Sequence, residues 1–85
     1  MYSVGVILVR EFSIAIHSFE DVQDFVSLAT VQPFRLLVGN DHQQVNAKSF
    51  MGMFGLDYRR PLIVTVDCEE AEFQRFRQAA SRFLA

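Results

Sequence analysis

Two residues of this sequence have side chains and neighbours suited to carrying phosphate, His17 and Ser49. His17 immediately precedes Ser18, whose Ser-x-x-acid spacing with Asp21 is typical of a helix N-cap. Unpaired N–H groups and the dipole at a helix start favour negative charge, which suits a phosphohistidine. Glu20 and Asp21 in the same turn would repel an incoming phosphoryl group, which favours an ordinary exposed histidine at a strand end.

Ser49 stands where a short middle helix is expected to begin, so capping that helix is its structural interpretation. A phosphate on its hydroxyl would meet the helix start and Lys48, so the site is also suited to regulatory phosphorylation. The two roles are compatible, and chemistry alone does not separate them. The other histidine, His42, lies in a predicted turn and is expected to be exposed.

The sequence carries no other motif for catalysis or metal binding. Its four glycines never form a phosphate-binding loop, and no HExxH, CxxC or GxSxG pattern occurs. Cys68 is the only cysteine, and one thiol with His17 and His42 does not make a zinc site. We therefore expect no metal, no cofactor and no catalytic residue.

Composition narrows the class of protein further. The chain has 85 residues, of which 51% are hydrophobic and 21% charged, with a formal net charge of −2. These values predict one small globular domain and argue against nucleic-acid binding. The apolar run 4–9 is shorter than the ~20 residues that cross a bilayer and has no basic signal-peptide region. With a single cysteine, we expect a cytoplasmic protein that does not enter membranes.

Three helices must position these residues. The first follows Ser18 and ends before Pro33, and the last begins with the acids Glu69, Glu70 and Glu72. The middle helix, residues 48–55, places four large apolar side chains in five positions: Phe50, Met51, Met53 and Phe54. Either some of them are exposed as a protein-binding patch, or Gly52 lets the helix pack closely and buries more of them.

Strands account for the remaining segments. Phe12, Ile14 and Ile16 alternate with smaller or polar residues, residues 34–38 and 43–46 read as a hairpin, and residues 61–67 are rich in β-branched side chains. The order β-α-β-β-α-β-α predicts an α+β domain with a largely antiparallel sheet. The inward positions predict this core: Ile14, Ile16, Val22, Phe25, Val26, Leu36, Val38, Leu62, Val64, Val66, Phe73, Phe76, Ala80 and Phe83.

Residues 46–53, Asn-Ala-Lys-Ser-Phe-Met-Gly-Met, resemble the motif of the HPr family of phosphocarrier proteins. Those proteins carry phosphate from enzyme I to the sugar-specific components of the bacterial phosphotransferase system. The element order and the length are also similar. The resemblance implies an open-faced β-sandwich, with a four-stranded antiparallel sheet and three helices on one face, over residues 11–85. Residues 1–10 would form an extra N-terminal strand segment.

The resemblance also implies a regulatory site. In the Gram-positive branch the serine of this motif is phosphorylated by a dedicated kinase, and the apolar residues after it dock that kinase and a carbon-catabolite regulator. Ser49 is then the phosphoacceptor. The implied partner-docking residues are Lys48, Phe50, Met51, Met53 and Phe54. The implied partners are an HPr kinase-like protein and a transcriptional regulator.

The carrier loop of the family, His-x-Arg-Pro, is not reproduced. Its positions fall on Ser18, Glu20 and Asp21, and His17 misses the histidine position by one residue. Exchanging arginine for glutamate changes the local charge by about two units against phosphate. We therefore expect a non-catalytic regulatory or interaction paralogue, not an enzyme, acting through the Ser49 helix. The alternative is a working phosphocarrier that accepts phosphate from enzyme I on His17.

The N-terminal segment 1–10 has high β-propensity and no charge before Arg10. An exposed strand of this kind promotes aggregation unless it is covered. We predict that it continues the first strand and pairs with a second copy in a homodimer. The competing interpretation is that it folds back over its own domain and leaves a monomer.

Overall fold

A computed structural model describes residues 9–85. The strands are β1 (Val9–Ile14), β2 (Arg35–Gly39), β3 (Gln44–Asn46) and β4 (Leu62–Asp67). The helices are α1 (Phe19–Thr30), α2 (Phe50–Phe54) and α3 (Glu70–Ala79), and a 3₁₀ turn follows at Ser81–Phe83. The predicted order β-α-β-β-α-β-α is confirmed.

The four strands form one antiparallel sheet in the order β1-β4-β2-β3. Phe12 lies opposite Val64, and Leu36 lies opposite Val66, so the apolar positions of neighbouring strands align. The helices cover this apolar face, which makes the fold the predicted open-faced β-sandwich. No helix within residues 9–85 has the length and apolar character to span a bilayer.

The predicted core is buried with one exception. Phe73 is only half-buried, because it lies near the start of α3 against Phe12 and the Arg10 side chain at the rim of the core. Phe76 is 1% exposed, and its ring contacts the rings of Phe12, Phe25 and Phe34. The sequence prediction missed six further buried residues: Phe12, Ala29, Ala47, Met53, Leu56 and Cys68.

Two element ends differ from the sequence pattern. β1 stops at Ile14, although Ile16 remains buried. The apolar spacing of the last helix continues to Phe83, but α3 ends at Ala79. The 3₁₀ turn then brings the centroid of the Phe83 ring to 5.3 Å from that of the Phe25 ring. The turn thus fills the core with a residue that a straight helix was predicted to carry.

The predicted boundary between residues 10 and 11 falls inside β1, since Val9 pairs with Asp67 and Arg10 with Val66. Arg10 also forms an ion pair with Glu70 at 2.7 Å. The rest of the predicted N-terminal segment, residues 1–8, lies outside the described residues.

Candidate functional site

The start of α1 is closed by its own side chains. Ser18 is the N-cap, and its Oγ accepts the Asp21 N–H at 3.1 Å. In return, Oδ2 of Asp21 accepts the His17 N–H at 2.9 Å. The predicted cap is confirmed, and the reciprocal bonds satisfy two N–H groups at the helix start. An incoming anion would have to compete with the Asp21 carboxylate for this end of the helix.

Arg82 connects this helix start to the C-terminal turn. Its guanidinium donates to Oδ1 of Asp21 at 3.1 Å and to Oδ2 of Asp24 at 2.6 Å. It also lies 4.1 Å from the centroid of the Phe83 ring, within cation–π distance. The His17 N–H, together with the Arg82 guanidinium, holds the pKa of Asp21 below its ordinary value of 3.8. Asp21 is therefore ionised at neutral pH.

His17 lies on the surface beside this cluster. Its side chain is exposed, and Glu20 beside it is exposed as well. The first two turns of α1 carry three carboxylates, those of Glu20, Asp21 and Asp24, and the Arg82 guanidinium is bound to two of them. The electrostatic environment of His17 is thus unfavourable for a phosphoryl group.

An aromatic patch joins the start of α1 to α2; it consists of Phe19, Phe50, Phe54 and Met51. The Phe19 and Phe54 rings stack with their centroids 5.0 Å apart, and Phe50 lies 5.1 Å from Phe54 and 5.8 Å from Phe19. Met51 is 81% exposed, Phe19 50% and Phe54 47%. Phe19 and Phe54 are therefore exposed next to each other, and Met51 is exposed three residues before Phe54 on the same helix, as in a protein-binding surface.

The structure corrects one predicted docking residue, Met53, which is 0% exposed and belongs to the core. It faces inward because α2 packs closely on β3: a Cβ at Gly52 would lie 3.2 Å from the Val45 Cβ. Both interpretations of the middle helix hold in part. Gly52 permits the close packing that buries Met53, while Met51 and Phe54 remain exposed.

Ser49 caps α2 as predicted, since its Oγ accepts the Gly52 N–H at 3.2 Å. The neighbouring Lys48 serves another helix: its Nζ donates to the Gln32 carbonyl oxygen at 2.7 Å, just beyond the end of α1. Contact between Lys48 and a phosphate on Ser49 stays a prediction, because this hydrogen bond uses only one of the three N–H donors of the Lys48 side chain. Its ammonium group stabilises the negative end of the α1 dipole.

A groove of about 600 Å³ lies between the start of α1 and the segment after α2, with His17, Phe19, Phe54, Tyr58 and Arg59 among its lining residues. Burial raises the pKa of Tyr58, and the Tyr58 hydroxyl has no hydrogen-bond partner among the described residues. Arg59 forms a two-bond pair with Asp57, whose pKa this guanidinium lowers to about 2.

No family model matches this sequence, and no curated protein matches it. Among solved structures, the chain is similar to the crystal structure of HPr-C-His from Thermoanaerobacter tengcongensis, with a TM-score of 0.63 and 23% sequence identity. The similarity covers 81% of this chain and 88% of that one. The fold is HPr-like.

The HPr-like fold brings the two predicted regions, the His17 loop and the Ser49 helix, to one end of the molecule, where Phe19 and Phe54 join them. Phe19 was not predicted as a surface residue, because its spacing of three from Val22 fits the apolar stripe of α1. His42 is exposed in the β2–β3 turn, where its N–H donates to Asn40 Oδ1 at 2.8 Å, and it lines a different cavity. Within residues 9–85, no three His, Cys, Asp or Glu side chains group as metal ligands.

Proposed function

We propose that this chain is a non-catalytic, HPr-like regulatory protein that binds protein partners through the aromatic patch. One observation carries the proposal: the half-exposed rings of Phe19 on α1 and Phe54 on α2 stack on each other, and Met51 is exposed three residues before Phe54 on α2. Binding a partner to an apolar surface of this kind is favourable, because it removes the surface from water. By resemblance, the partners are an HPr kinase-like protein and a transcriptional regulator of carbon catabolism in bacteria with a phosphotransferase system.

The start of α1 supports a non-carrier role. A phosphohistidine needs free donors and positive charge. Here the Asp21 carboxylate accepts the backbone N–H of His17, and Arg82 is bound to Asp21 and Asp24. Loss of phosphate transfer would not affect the aromatic patch, since none of its four side chains takes part in these bonds.

Ser49 is the proposed control point of this surface. Its Oγ lies at the start of the helix that carries Phe50, Met51 and Phe54. Phosphorylation would add about two negative charges next to the patch and displace the Gly52 N–H from its present acceptor. The modification would thus change both the charge and the local geometry of the docking surface.

The docking proposal is tested with one patch variant and one matched control. Met51→Asp places a charge in the patch, while Val31→Asp places it at another highly exposed apolar residue, at the end of α1. Binding to a Gram-positive HPr kinase and to a catabolite regulator is measured by titration calorimetry. We expect Met51→Asp to weaken binding at least tenfold, about 1.4 kcal/mol, and Val31→Asp to leave it unchanged. Equal losses, or no binding of the unmodified chain, would contradict the proposal.

A further inference from the structure

Within residues 9–85, the outer edge of β1 is covered along only half of its length. β1 is an edge strand with β4 as its neighbour. At its end, the Ser13 carbonyl accepts the Ala85 N–H at 3.1 Å, and the Ala15 N–H donates to the Phe83 carbonyl at 2.7 Å. Because peptide groups alternate sides along a strand, those of Val9 and Glu11 point to the same outer edge. Within residues 9–85 nothing pairs with them there.

The open half of this edge is held in strand geometry by its own domain. Val9 pairs with Asp67 of β4, and the neighbouring Arg10 is bound to Glu70 and to the Cys68 carbonyl. The side chain of Val9 is 50% exposed on the face of the sheet away from the helices. A rigid strand with free peptide groups is a template for another strand.

The sequence that leads into this edge fits a strand partner. Eight residues precede Val9, none of them is charged, and Val4, Val6, Ile7 and Leu8 are among them. An apolar stretch of high β-propensity therefore directly precedes the open half of the β1 edge in the sequence.

We propose that β1 pairs antiparallel with β1 of a second copy across a two-fold axis at Val9, so that the two sheets become continuous. The charge at Glu11 argues against a register centred on that residue. An axis at Glu11 would place two carboxylates opposite each other and would direct the second strand onto the edge that Phe83 and Ala85 already occupy. An axis at Val9 sets Val9 against the partner's Val9 and keeps the two Glu11 carboxylates apart. This interface uses none of the aromatic patch.

Cysteine cross-linking tests the register. In a Cys68→Ser background, which removes the buried native thiol, Val9→Cys and Glu11→Cys are compared in the full chain. Residues paired at the axis lie about 5.5 Å apart at Cα, within disulfide range, whereas two Glu11 positions would be roughly 14 Å apart. We expect mild oxidation to convert most of the Val9→Cys protein into a disulfide dimer and the Glu11→Cys protein into none.

Light scattering of the unmodified chain supplies the second measurement. We expect twice the 9.8 kDa chain mass, falling to the single mass in Val9→Lys, which places two ammonium groups at the axis. Circular dichroism confirms that each variant is folded. A monomeric unmodified chain would overturn the dimer. Preferential cross-linking of Glu11→Cys would overturn the proposed register.

Discussion

The carboxylate of Asp21 accepts the backbone N–H of His17 at 2.9 Å, so the Asp21 side chain reaches back from the first turn of α1 to the segment that precedes it. The same carboxylate receives Arg82 from the other end of the chain. In an HPr-like fold, this is where the resemblance places a phosphate carrier loop. The chain instead holds a fixed internal anion there, which ties α1 to the C-terminal turn.

Replacing Asp21 should expose the contribution of this anion to stability. Because the pKa of folded Asp21 lies below 3.8, its stabilisation is complete at neutral pH and is lost as the pH falls through the folded-state value. Asp21→Ala removes the bond to His17 and one arm of Arg82, so we expect the free energy of unfolding to fall by about 1 kcal/mol at pH 7. Urea titrations between pH 2 and 7 should show that the difference in free energy of unfolding between Asp21→Ala and the unmodified chain decreases once the pH falls below the ordinary pKa of an aspartate.

Glu20→Gln is the matched control for this measurement. It removes a carboxylate from the same helical turn, but Glu20 is exposed and forms no ion pair among the described residues. Its effect on the free energy of unfolding should stay within about 0.5 kcal/mol at every pH. Equal pH dependence in the two variants would contradict a specific role for Asp21.

Phe76 should be among the most costly side chains to truncate. It is 1% exposed and meets three other aromatic rings, so Phe76→Ala leaves a large cavity beneath the sheet. We expect a loss of about 3–5 kcal/mol, measured by urea denaturation. Phe54→Ala removes the same type of ring from a position that is 47% exposed and should cost less than half as much. Similar losses would show that Phe76 is not central to the core.

Most of the fold follows from local signals in the sequence. The Ser18 and Ser49 caps, the stop before Pro33 and the alternation of β4 act over a few residues, and all four are found in the structure. α2 was harder to orient because its five residues make barely more than one turn, which is too short for a 3.6-residue period to define a face. The sequence resemblance therefore assigns Met53 to the docking surface, whereas the structure buries it in the core.

The candidate site depends on contacts between distant segments, which explains what the sequence did not reveal. Phe19 becomes a surface residue because α1 approaches α2 and sets its ring against Phe54. Arg82 reaches Asp21 across 61 positions of sequence. Neither contact leaves a periodic pattern along the chain, so both required the folded structure.

Ser49 should be labelled by a Gram-positive HPr kinase if the proposed regulation is correct. We expect one phosphoryl group per chain, measured by intact mass, and none in Ser49→Ala. Ser27 lies on the exposed side of α1, so Ser27→Ala is the matched control and should be labelled fully. A genuine HPr serves as the positive control for kinase activity. No incorporation into the unmodified chain would leave Ser49 with its capping role alone.

Phosphate transfer through His17 is the test that separates the two functions. Incubation with enzyme I and labelled phosphoenolpyruvate should leave this chain without an acid-labile phosphoryl group, while a genuine HPr in the same mixture becomes labelled. The physical reason lies at the start of α1, where Asp21 already accepts the backbone N–H of His17 and Glu20 adds negative charge. The Arg82 guanidinium is bound to Asp21 and Asp24. If label does appear, His17→Ala identifies the acceptor. Labelling that disappears in His17→Ala would establish a phosphocarrier and reject the non-catalytic proposal, whereas labelling that persists would point to another residue.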